Sequence, residues 1–125
     1  MQADAGAVSR AVVVAQRFAV AARLEPGVAG RLAVVVEEWV ANVVEHGGPH
    51  EGARIVLRLS LAETAVRLAF SDGGRPFDPR EARFDGPNLE RGGGAGLAMI
   101  ASFCRIAGYA RRSGRNRLVL ELPLG

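Results

Sequence analysis

At 125 residues, 49% hydrophobic and 23% charged, the chain has the balance of one soluble domain spanning residues 1–125, and no apolar run approaches the length of a membrane span. Its one cysteine, Cys104, excludes an internal disulfide or a cysteine-rich metal centre, and its 16 basic residues are all arginine, which excludes a P-loop, a lysine-dependent protein-kinase fold and Schiff-base chemistry. The net charge of +3 is uneven, with 12 arginines against 7 acids over residues 53–125, but the 6% aromatic content and the lack of a nucleic-acid-reading motif favour a solvated basic surface over direct nucleic-acid binding.

In chain order, Val8–Leu24 has the apolar spacing of a helix, with Val12, Ala15, Phe18, Ala19 and Ala22 on one side and arginines between them. Glu25-Pro26-Gly27 breaks it, and proline suits the first turn of the helix that follows. That second helix is expected over Val28–Glu45, with Leu32, Val35, Val36, Trp39, Val40, Val43 and Val44 apolar, and His46-Gly47-Gly48-Pro49 ends it. Two strands, Ala53–Leu61 and Thr64–Ser71, alternate apolar residues with arginine and read as a hairpin. Asp72–Gly92 is a long loop rich in Gly, Pro, Asp and Arg, of the kind that serves function when it interrupts a compact domain. A helix over Gly96–Phe103 and two strands, Arg105–Arg111 and Arg117–Leu122, complete the chain, the strands joined through Ser113-Gly114-Arg115-Asn116. Cys104 falls in the apolar stretch Met99–Ile106 and reads as an inert, buried thiol.

Three segments carry candidate chemistry. In the second helix Glu38, Asn42 and His46 recur every fourth residue and form one polar stripe on an otherwise apolar element. Such a stripe is solvated, paired or turned to a cleft, and Asn42, a poor helix former, favours the cleft. Ser71-Asp72-Gly73-Gly74 ends a strand in a carboxylate followed by glycines, which allows a planar ligand close to the backbone and gives an exocyclic amine an acceptor. By itself it is equally a turn. Gly92-Gly93-Gly94-Ala95-Gly96-Leu97 runs into a helix, where free N–H groups and the helix dipole suit phosphate, although a glycine run alone is a weak signal.

The order of the three, Glu-x-x-x-Asn-x-x-x-His, Asp-x-Gly-x-x-Phe-Asp-Pro and Gly-Gly-x-Gly-Leu, is far more specific than any one of them. It resembles the N, G1 and G2 boxes of the GHKL ATPase superfamily, and within it the anti-sigma factor serine/threonine-protein kinases of bacterial partner-switching systems. The resemblance covers about Val12–Leu124 and implies an α/β sandwich of the Bergerat type, with a mixed, mainly antiparallel sheet and helices on one face. It implies ATP and Mg²⁺ as cofactors. Glu38 would be the general base, with Glu37 a secondary candidate, and Asn42 the Mg²⁺ ligand. Asp72 would take the adenine amino group with Gly74 against the ring. Gly92, Gly94 and Gly96 would wrap the phosphates, Leu97 would anchor the new helix, and His46 would sit at the pocket edge. Phe77–Arg91 would form a lid, and Arg75, Arg80, Arg83 and Arg91 could reach phosphate or a protein substrate.

The implied activity is transfer of the ATP γ-phosphoryl group to a serine of a STAS-type anti-sigma-factor antagonist, together with sequestration of a sigma factor, in a cytoplasmic protein without membrane or direct nucleic-acid partners. Homodimers are common among similar proteins. A non-catalytic nucleotide-binding switch of the same fold is the alternative, whereas a histidine-kinase catalytic domain is disfavoured by the short lid and the lack of a preceding dimerising helix. The chain departs from the pattern in three places. There is almost no room for a strand before the first helix, Trp39 stands where a small residue is common, and Arg115-Asn116 replaces a Gly-Thr pair whose threonine lies near a phosphate.

Overall fold

A computed structural model describes residues 1–46, 54–81 and 93–125. Its elements are α1 (Ala7–Ala21), α2 (Pro26–His46), β1 (Val56–Leu61), β2 (Ala65–Asp72), a 3-10 turn at Pro79–Glu81, α3 (Gly93–Phe103), β3 (Arg105–Arg112) and β4 (Arg115–Pro123). The four strands are ordered β1-β2-β4-β3, and every pairing among the described residues is antiparallel. Val66, Leu68, Phe70 and Asp72 of β2 and Asn116, Leu118, Leu120 and Leu122 of β4 alternate onto the buried face, against which the helices pack.

α2 is the central helix. Val28, Leu32, Val35, Val36, Trp39, Val40 and Val43 are all buried, as the helical spacing predicts. In α1 the side that the spacing marks is the buried one, with Val12, Phe18 and Ala22 half-buried beside it. Ala7, Ala11, Ala15 and Ala19, each four residues on, form the buried stripe, and Val13, Val14 and Val20 are left exposed. The small side chains let α1 lie close along α2. α1 ends where Arg23 takes a positive φ of 55° and Leu24 N–H reaches back to Ala19 O at 3.0 Å, the left-handed closure that glycine usually supplies.

Residues at the start of the chain make one bridge instead of a full strand before α1. Gln2 pairs antiparallel with Arg54, and the Ile55 N–H donates to Met1 O at 2.9 Å. Ser113 (φ 53°) and Gly114 (φ 76°) form a two-residue turn with both φ positive. The hairpin is therefore tighter than its sequence suggests, and Arg115 and Asn116 belong to β4 and not to the link. Gly114→Ala should cost about 1 kcal/mol, since a Cβ is disfavoured in the left-handed region, and the urea midpoint should fall accordingly.

β3 carries a bulge at Ala107, where its register against β4 shifts between Ile106 and Gly108. One extra residue reverses which side chains face the helices. Tyr109 and Arg111 consequently point to the buried side, and both are used there.

Candidate nucleotide site

A cavity of about 200 Å³ opens between the C-terminal half of α2 and the β2 end of the sheet, lined by Trp39, Asn42, Val43, His46, Asp72, Arg75, Pro76, Phe77 and Asn116. The helix contributes Asn42 and His46 one turn apart, Asn42 half-buried and His46 exposed. The sheet contributes Asp72 and Asn116, directly paired across β2 and β4 and only 5% and 3% exposed. The volume suits the flat end of a ligand, below the several hundred Å³ of pockets that enclose whole drug-sized molecules.

Two buried polar side chains facing one another must satisfy each other. Asp72 Oδ1 accepts from Gly74 N–H at 2.9 Å and from Asn116 Nδ2 at 3.1 Å. Asn116 Nδ2 also donates to Arg75 O at 2.8 Å, and Asn116 Oδ1 accepts from the Tyr109 hydroxyl at 2.6 Å and from Arg111 Nη1 at 2.9 Å. The Tyr109 oxygen in turn accepts the Phe77 N–H at 3.1 Å, while Arg111 Nη1 reaches Gly74 O at 3.0 Å. Tyr109, Arg111 and Asn116 thus hold the whole turn from Asp72 to Phe77 against the sheet. Asp72 Oδ2 has no hydrogen-bond partner among the described residues, so the aspartate meets the cavity with an acceptor.

This arrangement corrects one expectation. Asn116 does not belong to the link before the last strand. It lies in β4, directly opposite Asp72, with its amide hydrogens committed to internal acceptors. Tyr109 and Arg111 were not singled out as site residues by sequence reasoning. The bulge that turns them inward leaves no mark beyond Ala107-Gly108, and glycine at a strand interior is the one available signal.

Glu38 is not on the cavity wall. It sits one turn before Asn42, half-buried, with its carboxylate packed against Gly96 in the first turns of α3. A Cβ at Gly96 would collide with the carboxylate oxygen and stand 3.1 Å from Glu38 Cδ. Burial, and then the neighbouring charges of Glu37 and Glu45, push the Glu38 carboxyl above the usual carboxylate range. Glu37 is exposed. Gly94 belongs to the first turn of α3, and Leu97 is half-buried against the core. Gly92, Arg83 and Arg91, and most of the expected lid, lie outside the described residues. Arg75 lines the cavity, and Arg80 chelates Asp78, whose carboxyl it holds below the ordinary range.

Asn42 and Asp72 therefore meet at the cavity, while Glu38 and Gly96 meet one helical turn earlier along α2, off the cavity wall. One feature of the cavity lining is consistent with a polar ligand, and one feature of α3 holds Glu38 in place. Trp39 Nε1 is buried at the cavity wall and is the one buried polar side-chain atom among the described residues without a hydrogen-bond partner. Gly96 lets the Glu38 carboxylate approach the α3 backbone, which any larger residue would prevent. Burial pushes the Cys104 thiol up to about 12, so it is inert as expected.

Gly96→Ala separates stability from chemistry. Alanine should raise helix stability by up to about 1 kcal/mol, while its methyl group displaces the Glu38 carboxylate. Thermal unfolding is expected to stay level or rise, and any phosphoryl transfer by the protein to fall more than about tenfold.

An α/β layer with a carboxylate at a strand end, an amide on the facing helix and a glycine-led helix beside them defines a nucleotide-binding ATPase-type domain. Residues 1–122 match the histidine kinase-like ATPase domain family, and the chain belongs to it. Its fold is similar to the blue-light activated histidine kinase EL346 of Erythrobacter litoralis, with a TM-score of 0.61 at 19% identity over 81% of this chain and 32% of that one. It is also similar to the Acinetobacter baumannii histidine kinase AdeS, with a TM-score of 0.55 at 15% identity over 78% of this chain and 47% of that one. The catalytic domain of histidine kinase ThkA gives 0.53 at 23% identity over 76% of this chain and 66% of that one. The chain spans between about a third and two thirds of the length of these structures. No curated protein matches the sequence. Among the described residues no helix is long and apolar enough to cross a membrane.

Proposed function

We propose that this chain is an ATP-dependent serine protein kinase of the anti-sigma factor type, which phosphorylates a STAS-type antagonist and sequesters a sigma factor in the cytoplasm. The observation that carries the kinase reading is Glu38. It is an acid raised above its ordinary range, one helical turn from Asn42 and seated against the first turns of α3. ATP would supply the phosphoryl group, and Mg²⁺ held by Asn42 would offset the charge that develops on it. The base end would be read by Asp72 Oδ2, with Trp39 and Phe77 enclosing the ring. His46 stands at the rim. Gly94 and Gly96 would face the phosphates through α3 N–H groups and the helix dipole. Glu38 would accept the proton of the attacking serine hydroxyl, and its raised affinity for a proton makes it a stronger base once ionised.

The sigma factor and antagonist rest on the resemblance carried by the chain's small size, its Glu-Glu-x-x-x-Asn-x-x-x-His-Gly helix, its Phe-Asp-Pro and its short lid, and Ser/Thr specificity rests on the same resemblance. Mixing the protein with Mg-ATP and a STAS-type antagonist should give one phosphoserine by mass spectrometry. Tight ATP binding without transfer to any antagonist would instead support the non-catalytic switch. No ATP binding at all would remove both readings.

A further inference from the structure

The face of the sheet turned away from the helices carries the positive charge that the sequence places in its second half. Alternation puts Arg58, Arg67, Arg115 and Arg117 on it, together with Arg105 and Arg112 from β3. The one carboxylate from the strands on this face is Glu121, already paired with Arg105. Arg115 is spent on Ser71 Oγ and Arg54 O. Arg58, Arg67 and Arg117 have no ion pair or hydrogen bond among the described residues.

Between these arginines the floor is made of small residues. Across the strands Ala69 lies beside Val119 and Val119 beside Gly108, and Ser71 lies beside Arg117 and Arg117 beside Ala110. Two shallow hollows, of about 390 and 290 Å³, flank Arg117, the first bounded by Arg58 and Ser71 and the second by Arg67, Gly108 and Ala110.

The geometry points to this face as the docking surface for an acidic amphipathic segment of another protein. The low floor admits apolar side chains, and the unpaired guanidinium groups around it take the carboxylates that flank them, in the forked geometry arginine favours. The alternative, nucleic acid, fits less well. The cations are dispersed around small residues, and among the described residues the strand aromatics that border the hollows, Phe70 and Tyr109, alternate to the opposite face of the sheet. The surface lies across the sheet from the nucleotide cavity and does not depend on the kinase reading.

The test uses the full chain and three fluorescein-labelled probes, measured by anisotropy. These are a short amphipathic helical peptide with leucine and alanine on one side and glutamate flanking them, the same peptide with glutamine for glutamate, and a DNA duplex. The acidic peptide should bind, and the glutamine version should bind about tenfold more weakly or worse. Arg67→Glu/Arg117→Glu should weaken the acidic peptide by about a hundredfold, and the milder Arg67→Gln/Arg117→Gln by about tenfold. Arg17→Glu on α1 should change it less than about twofold. ATP binding by each variant reports that the fold and the cavity survive. The proposal is overturned if the acidic peptide does not bind, if both double variants bind it as the parent does, or if DNA binds more tightly and loses affinity in the same variants.

Discussion

Glu38→Gln is expected to lower phosphoryl transfer by about 10²–10⁴-fold, the usual contribution of a positioned general base, and to leave ATP affinity within a factor of about three. Glu38 lies off the cavity wall, so its loss removes nothing from the base end. Glutamine has nearly the same shape and keeps the contact with Gly96, but it cannot take a proton. The pH dependence follows from the direction of the shift. A carboxyl whose folded pKa lies above its unfolded value is the protonated, inactive acid at low pH, so transfer by the parent should rise with pH through a window above the ordinary glutamate value of 4.5. The glutamine variant's residual rate should be flat across that window. Linkage gives stability the opposite slope. The folded state binds more protons than the unfolded one in the window, so Glu38 subtracts stability as pH rises through it, and Glu38→Gln should remove that loss. Single-turnover rates with the antagonist and Mg-ATP, set beside urea melts at matched pH, check both signs. A variant that transfers at the parent rate would take the base role away from Glu38.

Much of the scaffold was legible because burial follows period. The apolar spacing of α2 gives its seven buried side chains, and alternation in β2 and β4 gives theirs. The polar stripe was half-readable. Asn42 and His46 reach the cavity as their four-residue spacing suggests, yet Glu38, on the same stripe, faces α3, because a helix some thirty ångströms long passes more than one neighbour along its length. The α1 seat was legible too, since Ala15 and Ala19 are buried and Val12, Phe18 and Ala22 half-buried on the side that the spacing marks. Other features depend on backbone states that side-chain pattern does not encode. Asn116 was placed in a loop because Ser113, unlike glycine, does not advertise a positive φ. Tyr109 and Arg111 were missed because a one-residue bulge reverses parity without altering composition. Asp72 itself was legible, since it ends an alternating strand just before two glycines. What the sequence did not carry was its partner, and the partner decides what Asp72 can select.

Asp72→Asn is expected to change which base the cavity accepts. Gly74 N–H and Asn116 Nδ2 both donate to Oδ1 of the aspartate. In the variant those two donors require the amide oxygen at that position, which turns the amide nitrogen to the cavity in place of Oδ2. Asn116 has no freedom to reverse this, because its own oxygen is taken by Tyr109 and Arg111 and its nitrogen by Asp72 and Arg75. An acceptor facing the ligand becomes a donor. A 6-amino purine then meets a donor with a donor and loses a charge-assisted hydrogen bond, worth about 3 kcal/mol or roughly a hundredfold in affinity. A 6-oxo purine gains an acceptor–donor match, so the ratio of ATP to ITP affinity should fall by more than the loss of ATP alone. Stability should change by less than about 1 kcal/mol, because every internal hydrogen bond keeps its donor and acceptor. Trp39, the sole tryptophan and part of the cavity wall, gives the readout through its fluorescence on titration with each nucleotide. Equal losses for ATP and ITP would mean that Asp72 contributes charge without reading the base, and unchanged ATP affinity would place the base elsewhere.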